Sequence, residues 1–473
     1  VFSGRPKVVT LLVFGLVSTL LLAGCQTDGQ SSPGEASQAQ AQVSVESPSP
    51  LAFPEEAREG FSEIVYTGPN GNILTMDRNG ENQVPVTTQE GPISVDQFVF
   101  SLPRLSADGS KVAFMGHDRA GSENRIRNII YVADAEAGEI VPVHSSMADA
   151  PFFMDFSPTG ESLAIVSSVS ETGKLALQRV DVDGSDFRVI AEGRPLYYDW
   201  AETGNAIATH IGGSALEDSA SGSSNGTIGI IDMAGSANQS VLDQLPTYFQ
   251  VPAFSPDGSV IAGAVVSPEG ESSISLFDPR GDHVETLANI DGFAAMDWSP
   301  DGRRLAYIDG SNNPFSGIVG TLHVRNLQAV QQSISMQSGQ GDSAYTVDRV
   351  AAFFWSPDGE KIALFRPVPV GGSQGNTSGM NRYFRVTVLF VESGETVNYG
   401  VFPASIKFVS RVIPHFDQYH RSVQVWSPDS SNIVINSISD GQRPAVYLID
   451  LENRGNPQKI ASGDMAFFAP SGP

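Results

Sequence analysis

The sequence predicts an all-β chain folded as a single ring of eight four-stranded sheets. Three observations predict it: a motif that recurs along the chain, two incomplete ends that complement each other, and no long run of helical periodicity. The motif reads "FSPDGSVIAG" from Phe254, "WSPDGRRLAY" from Trp298 and "WSPDGEKIAL" from Trp355. Looser copies begin at Leu105, Phe156, Trp200 and Trp426, and a fragment, "FAPSG", begins at Phe468. Successive first residues lie 51, 44, 54, 44, 57, 71 and 42 positions apart, close to the roughly 40 to 50 residues of one propeller blade. All four tryptophans fall on that first position.

Taken in chain order, the first element is a basic start, Arg5 and Lys7, followed by an apolar run from Val8 to Leu22. At about 15 residues the run is short for a span of about 20, and the layout is that of a secretory signal. It ends in Leu22-Ala23-Gly24-Cys25, which resembles the lipobox of bacterial lipoproteins. That resemblance implies a signal peptide over 1–24, lipidation (palmitate among the acyl groups) at Cys25 and a place in the cell envelope. The protein would sit on the outer side of the cytoplasmic membrane or in the periplasm. Cys25 is the only cysteine, so no disulfide forms within the chain.

Residues 25–60 turn to Gln, Ser, Ala, Pro and Gly with few aliphatic clusters, a composition that cannot bury a core. They read as a tether spanning roughly 30 Å as a flexible coil. Removing Arg5 and Lys7 leaves 26 basic against 53 acidic residues, a net charge of −27 with neutral histidines. Phosphate would be repelled, so no nucleic-acid partner is expected. Contact with the membrane is expected through the lipid anchor only.

Residues 61–473 are the ring. In each motif Pro pre-sets its backbone angle, Asp bonds nearby amides and Gly supplies positive φ, closing a tight turn between an incoming strand a and an outgoing strand b. A second pair, c and d, follows, as in "ISLFDPRGDHVETL". The first ring segment, Glu63 to Thr88, offers b, c and d without an a, whereas the C-terminus offers an a without a b. Joined, they complete the eighth blade and leave no open sheet edge. Seven blades is the alternative, if the Leu105 or Trp200 copy is not a full sheet.

The repeat resembles the PD-G-type (WD40-like, PD40) repeats of TolB-like proteins over nearly the whole folded region. In that superfamily the fold serves as a protein-binding platform, as a gate domain on peptidases and as the body of some polysaccharide lyases, so fold alone does not choose a function.

Chemistry-bearing residues are few. Gly222 to Gly226 and Gly371 to Gly375 fit G-x-S-x-G but lack the strand-turn-helix context of a nucleophile elbow. Asp181 to Arg188 reads as a turn, without the carboxylate spacing of a calcium loop. Asp155, Asp199 and Asp297 each precede a blade aromatic and should face the central channel, where they are weak candidates for a structural calcium; no other cofactor is expected. "VIPHFDQYHRSVQVW" gathers His415, Asp417, Tyr419 and His420 into the densest cluster of binding groups, with a hydrogen-bonded loop filling the ring top as the alternative reading. The longest insertions fall between b and c and between d and a, on one face. They are longest in blades six to eight, which places Arg382 and Tyr383 beside that cluster. The expectation is a monomeric, envelope-anchored, non-catalytic binding platform for a protein, peptide or glycan. The alternative is an enzyme such as a polysaccharide lyase with a metal or His/Tyr site on the long-loop face.

Overall fold

A computed structural model of the chain describes residues 51–88, 99–120, 125–212, 226–233, 239–242, 244–247, 250–267, 269–290, 293–313, 317–327, 345–368, 382–439, 442–453 and 456–470. Cys25, the apolar run before it and both G-x-S-x-G stretches lie outside the described residues. Eight antiparallel sheets stand in a ring, and seven blades is thereby set aside. The inner strands are Val99–Leu105, Asp149–Phe156, Leu196–Trp200, Ala253–Phe254, Phe293–Trp298 and Ala352–Trp355 in blades one to six. In blade seven the inner strand is reduced to two bridges, Gln424 to Phe468 and Trp426 to Ile433. Blade eight is the composite: Asp464–Phe468 pairs with Ile64–Thr67, in the register Ile64 to Phe468 and Val65 to Phe467, followed outward by Ile73–Met76 and Val84–Pro85.

The motif residues do what their chemistry requires. In the blade-four turn, Ser255 Oγ donates to Asp257 Oδ1 at 2.6 Å, Ser259 N donates to the same oxygen at 3.0 Å, and Gly258 takes φ of 68°. Asp301, Asp358 and Asp429 receive the same serine bond in their blades. In blade seven Ser430 stands at φ of 58° where the other copies use glycine, and its Oγ accepts the Asp358 amide of the preceding blade at 3.1 Å. The tryptophans tie neighbouring blades together. Nε1 donates to the inner strand of the blade before, from Trp298 to Ala253 O (3.0 Å), Trp355 to Asp297 O (3.3 Å) and Trp426 to Phe354 O (2.9 Å). Trp200 lies against the Asp155 carboxylate in the same sense.

Three kinds of segment differ from the sequence expectation. Two of the b–c insertions are strand: Lys111–Ala120 pairs with Arg125–Asp134 out to Ala120 opposite Arg125, and Arg304–Asn313 with Gly317–Asn326 out to Asn313 opposite Gly317. Once the backbone ladder continues, each added residue pair satisfies its own hydrogen bonds, so polar sequence does not end the strand. Part of the stretch read as tether is folded: Glu55–Glu59 form a 3₁₀ turn with Ala57 buried, and Phe53 meets Phe61 at 6.4 Å. The third is the blade six-to-seven connection, which is helical. Among the described residues no helix is long and apolar enough to cross a membrane.

Candidate functional site

The six-to-seven connection begins where Thr396–Pro403 ends and runs through a π-helical turn, Phe408–Val412, a 3₁₀ turn, Ile413–His415, and an α turn, Phe416–Tyr419. Its apolar residues Phe408, Val409, Val412, Ile413 and Phe416 recur at helical spacing and are all buried. Phe408 meets Phe365 at 5.5 Å and Phe467 at 6.4 Å, while Phe416 meets Phe353 at 5.3 Å. Phe353 and Phe467 lie on inner strands and Phe365 on the strand next to one, so the segment enters the central channel.

Its polar residues then reach across the ring. Gln418 accepts from Tyr198 N at 3.0 Å and donates to Tyr198 O at 2.9 Å, using its amide like a strand edge. Asp417 Oδ2 accepts Val251 N at 3.2 Å, and Tyr419 OH donates to Phe152 O at 3.4 Å. His420 Nε2 lies 3.1 Å from Asp297 Oδ2, and Arg421 Nη1 lies 2.7 Å from Asp199 Oδ1. Blades two to six are thus held by one plug. Asp417 and Tyr419 are therefore buried structural groups in the channel rather than an exposed ligand cluster, and His420 is half-buried against Asp297. The loop reading, in which this segment fills the ring, describes them.

The carboxylates before the blade aromatics do face the channel. Together with Glu202, His420 and Arg421 they line a cavity of about 380 Å³ at the a–b turn end. Their neighbours are protein groups: Asp155 accepts the Tyr198 hydroxyl, Asp199 takes Phe254 N at 2.7 Å and pairs with Arg421, and Asp297 has both His420 and Arg421. Among the described residues no group of three or more His, Cys, Asp or Glu side chains is placed to hold a metal ion. Sequence reasoning missed Arg104, the residue in the same column of blade one. It is fully buried, donates Nε to Met154 O at 3.0 Å, and stacks over Phe153 and Tyr419 at 5.8 and 5.5 Å. The signal was available, because the motif places Arg104 directly before Leu105 just as it places Asp155 before Phe156.

Burial pushes Asp155 up to about 7, against the pull of the Tyr198 bond and of Arg104. Between the pKa of about 4 of an unfolded Asp and 7, the folded state holds a proton that the unfolded state has released. The stabilisation is complete below about pH 4 and falls away as pH rises to 7, by about 4 kcal/mol. Asp199, raised by burial to about 6, acts in the same sense. Asp155→Asn is expected to shrink the loss of melting temperature between pH 5 and pH 7.5; an equal loss in variant and parent would contradict this assignment.

On the opposite face, where inner strands begin, lies a cavity of about 1080 Å³ between blades one to three and the plug. Leu102, Met115, Phe153 and Leu196 form its apolar floor, and Phe152 projects into it 44% exposed. Arg194, Lys407, Arg411, His117 and His415 also line it, and among the described residues no Asp or Glu does. On its wall runs a fixed chain of bonds. Asn128 Nδ2 donates to Asp149 O at 2.8 Å, which turns Oδ1 to His117 Nδ1 at 2.8 Å, so Nδ1 carries the proton and Nε2 accepts from Ser101 Oγ at 3.3 Å. Burial lowers the His117 pKa, and Arg411 adds to the effect. His415, reached by water from the cavity, is lowered too by the desolvation around it, with Asp417 pulling the other way.

Of the site residues expected from the sequence, the structure brings His415 and the edge of Tyr419 to this cavity. It turns Asp417 and His420 into the channel. Arg382 and Tyr383, at the third strand of blade six, do not line it; Arg382 O instead accepts Ala404 N at 2.7 Å, fixing the start of the plug. The cavity lies between blades one to three and the six-to-seven connection.

No protein-family model and no curated protein matches the sequence. Solved structures that resemble the chain include an oligogalacturonate lyase in complex with manganese, at 15% identity and a TM-score of 0.47 over 83% of this chain and 98% of that one. TolB from Acinetobacter baumannii follows at 15% identity and 0.34, over 77% and 84%. The tricorn protease gives 13% identity and 0.45 over 90% of this chain but 36% of its own, so the chain spans about a third of that protein. None of the three bears on what this chain binds.

Proposed function

We propose that the chain is a bacterial envelope lipoprotein, anchored by a lipid on Cys25, whose propeller binds an envelope peptide, protein or glycan in the cavity between blades one to three and the plug. The observation that carries the reading is the cavity itself: a concave, mostly apolar space with a few convergent polar groups on a rigid ring. The channel, by contrast, is filled by the chain's own residues 404–423, and the a–b turns at its other end are tight. Photo-crosslinking tests this: an ultraviolet-reactive residue at Ser410, which lines the cavity and is exposed, should give an adduct in intact envelopes, whereas one at Asp257 should not. Adducts from Asp257 alone would sink the reading. Anchoring is checked separately by Cys25→Ser, which should abolish palmitate labelling.

One observation favours a catalytic reading. Ser101, His117 and Asn128 follow the order hydroxyl, imidazole, orienting amide. The binding reading expects no labelling of Ser101 by a fluorophosphonate; labelling that Ser101→Ala removes would move the protein to the hydrolases.

A further inference from the structure

The chain carries 53 acidic residues against 28 basic, yet among the described residues the lining of its 1080 Å³ cavity holds three permanent cations and no carboxylate. Arg194 donates only to a carbonyl, Gly173 O at 3.3 Å, and neither Lys407 nor Arg411 is ion-paired with an acidic side chain among the described residues. Two carboxylates lie behind the wall. Asp464 is buried, takes the Ser405 hydroxyl at 2.6 Å and has its pKa raised by burial, with the Ser405 bond and then the more distant Lys407 and Arg411 charges pulling the other way; Asp417 accepts Val251 N. Lys407 and Arg411 stand four positions apart on the π-helical and preceding turn, so one stretch of the plug presents both. Apolar side chains, Phe152, Leu102, Phe153, Leu196 and Met115, make up much of the remaining wall. Cations without a salt bridge among the described residues, beside apolar side chains in a protein that is otherwise strongly negative, form a complement for one kind of guest.

We propose that this cavity takes an amphipathic organic anion, an oxyanion head group such as a carboxylate on an apolar body, with Arg411 and Lys407 on the head and Phe152 against the body. This inference rests on the cavity being the binding site. The neutral His117 chain suits such a guest, because Asn128 and Ser101 already occupy both ring nitrogens and leave Arg411 and Lys407 to answer the charge. Arg411 is solvent-exposed and Lys407 partly so, and each can meet an oxyanion without leaving the plug.

The test uses decanoate and decanamide as probes, matched in shape and different in charge, with binding to the purified propeller read by calorimetry. Decanoate should bind at least tenfold more tightly than the amide. The double substitution Lys407→Gln and Arg411→Gln should remove that preference, and Ser410→Trp, which fills the mouth of the cavity, should weaken both probes. Equal binding of acid and amide, with both weakened by Ser410→Trp, would overturn the charge inference and leave the cavity as the site. Acid binding that survives both the double substitution and Ser410→Trp would overturn the inference and the cavity together; no binding of either probe, with Ser410 still crosslinking a partner, would overturn the inference and leave the cavity as the site.

Discussion

Removal of Met465 to Pro473 should leave a chain that aggregates or melts far below the parent. Within that segment Met465, Ala466, Phe467 and Phe468 are at most 3% exposed. Burying each of the three large side chains is worth about 1.5–3 kcal/mol, so their loss alone approaches the whole margin of about 5–15 kcal/mol for a folded domain. The hydrogen bonds lost are those that close the ring. Ala466 N donates to Asn436 Oδ1 at 2.7 Å and its carbonyl accepts Asn436 Nδ2 at 3.0 Å, while Phe468 N donates to Gln424 O at 2.9 Å. On the other side the edge of Ile64–Thr67 is left bare, a template for pairing with another chain. A truncated protein with an unchanged melt and no aggregation would mean that Phe468 does not complete blade eight. A milder form is Phe467→Ala, expected to cost about 3–5 kcal/mol as a large-to-small change in a packed core.

Arg421→Met should be the most damaging substitution in the channel. The guanidinium is 13% exposed, pairs with Asp199 at 2.7 Å and approaches Asp297 at 3.8 Å, and the Asp199 carboxylate is only 6% exposed. Removing one partner of such a pair leaves a desolvated charge and costs about 3–5 kcal/mol. Asp199 is already raised to about 6 by burial, with Arg421 opposing; without that cation its carboxyl rises further and takes up a proton at neutral pH. The double variant Arg421→Met with Asp199→Asn should recover much of the loss, since no charge remains at position 199 and Asp297 keeps His420, although Asn must still accept Phe254 N as Asp199 Oδ2 does at 2.7 Å. Failure of the second substitution to rescue the first, in urea melts at pH 7.5, would show that Arg421 acts through packing alone.

The ring was legible because its signal is repeated. Each Ser-Pro-Asp-Gly turn states a strand end, and four tryptophans mark one column, so eight imperfect copies correct one another. The composite blade could be read from Phe468 because a lone strand a demands a partner. The plug was not legible in the same way. It occurs once, and its helical spacing from Phe408 to Phe416 is shorter than the window in which periodicity separates helix from loop. Polar residues in it looked like ligand groups because sequence does not show whether a Gln faces water or the backbone of Tyr198, which lies 220 positions away. The cavity was still less visible: Ser101, Arg194 and Arg411 come from separate blades and from the plug, and only the closed ring with its channel filled makes them neighbours.

That filled channel is the central claim, since it moves the site from the axis of the ring to its side. Amide hydrogen exchange on the purified propeller measures it directly. Within Phe408 to Val423 the amides of the buried residues, among them Val409, Val412, Tyr419 and Val423, should be as protected as those of the inner strands Asp149–Phe156 and Phe293–Trp298, because the segment fills the channel and is bonded to blades two to six. Exchange of that segment at the rate of an exposed loop, with the inner strands still protected, would contradict the account and return the binding site to an open channel.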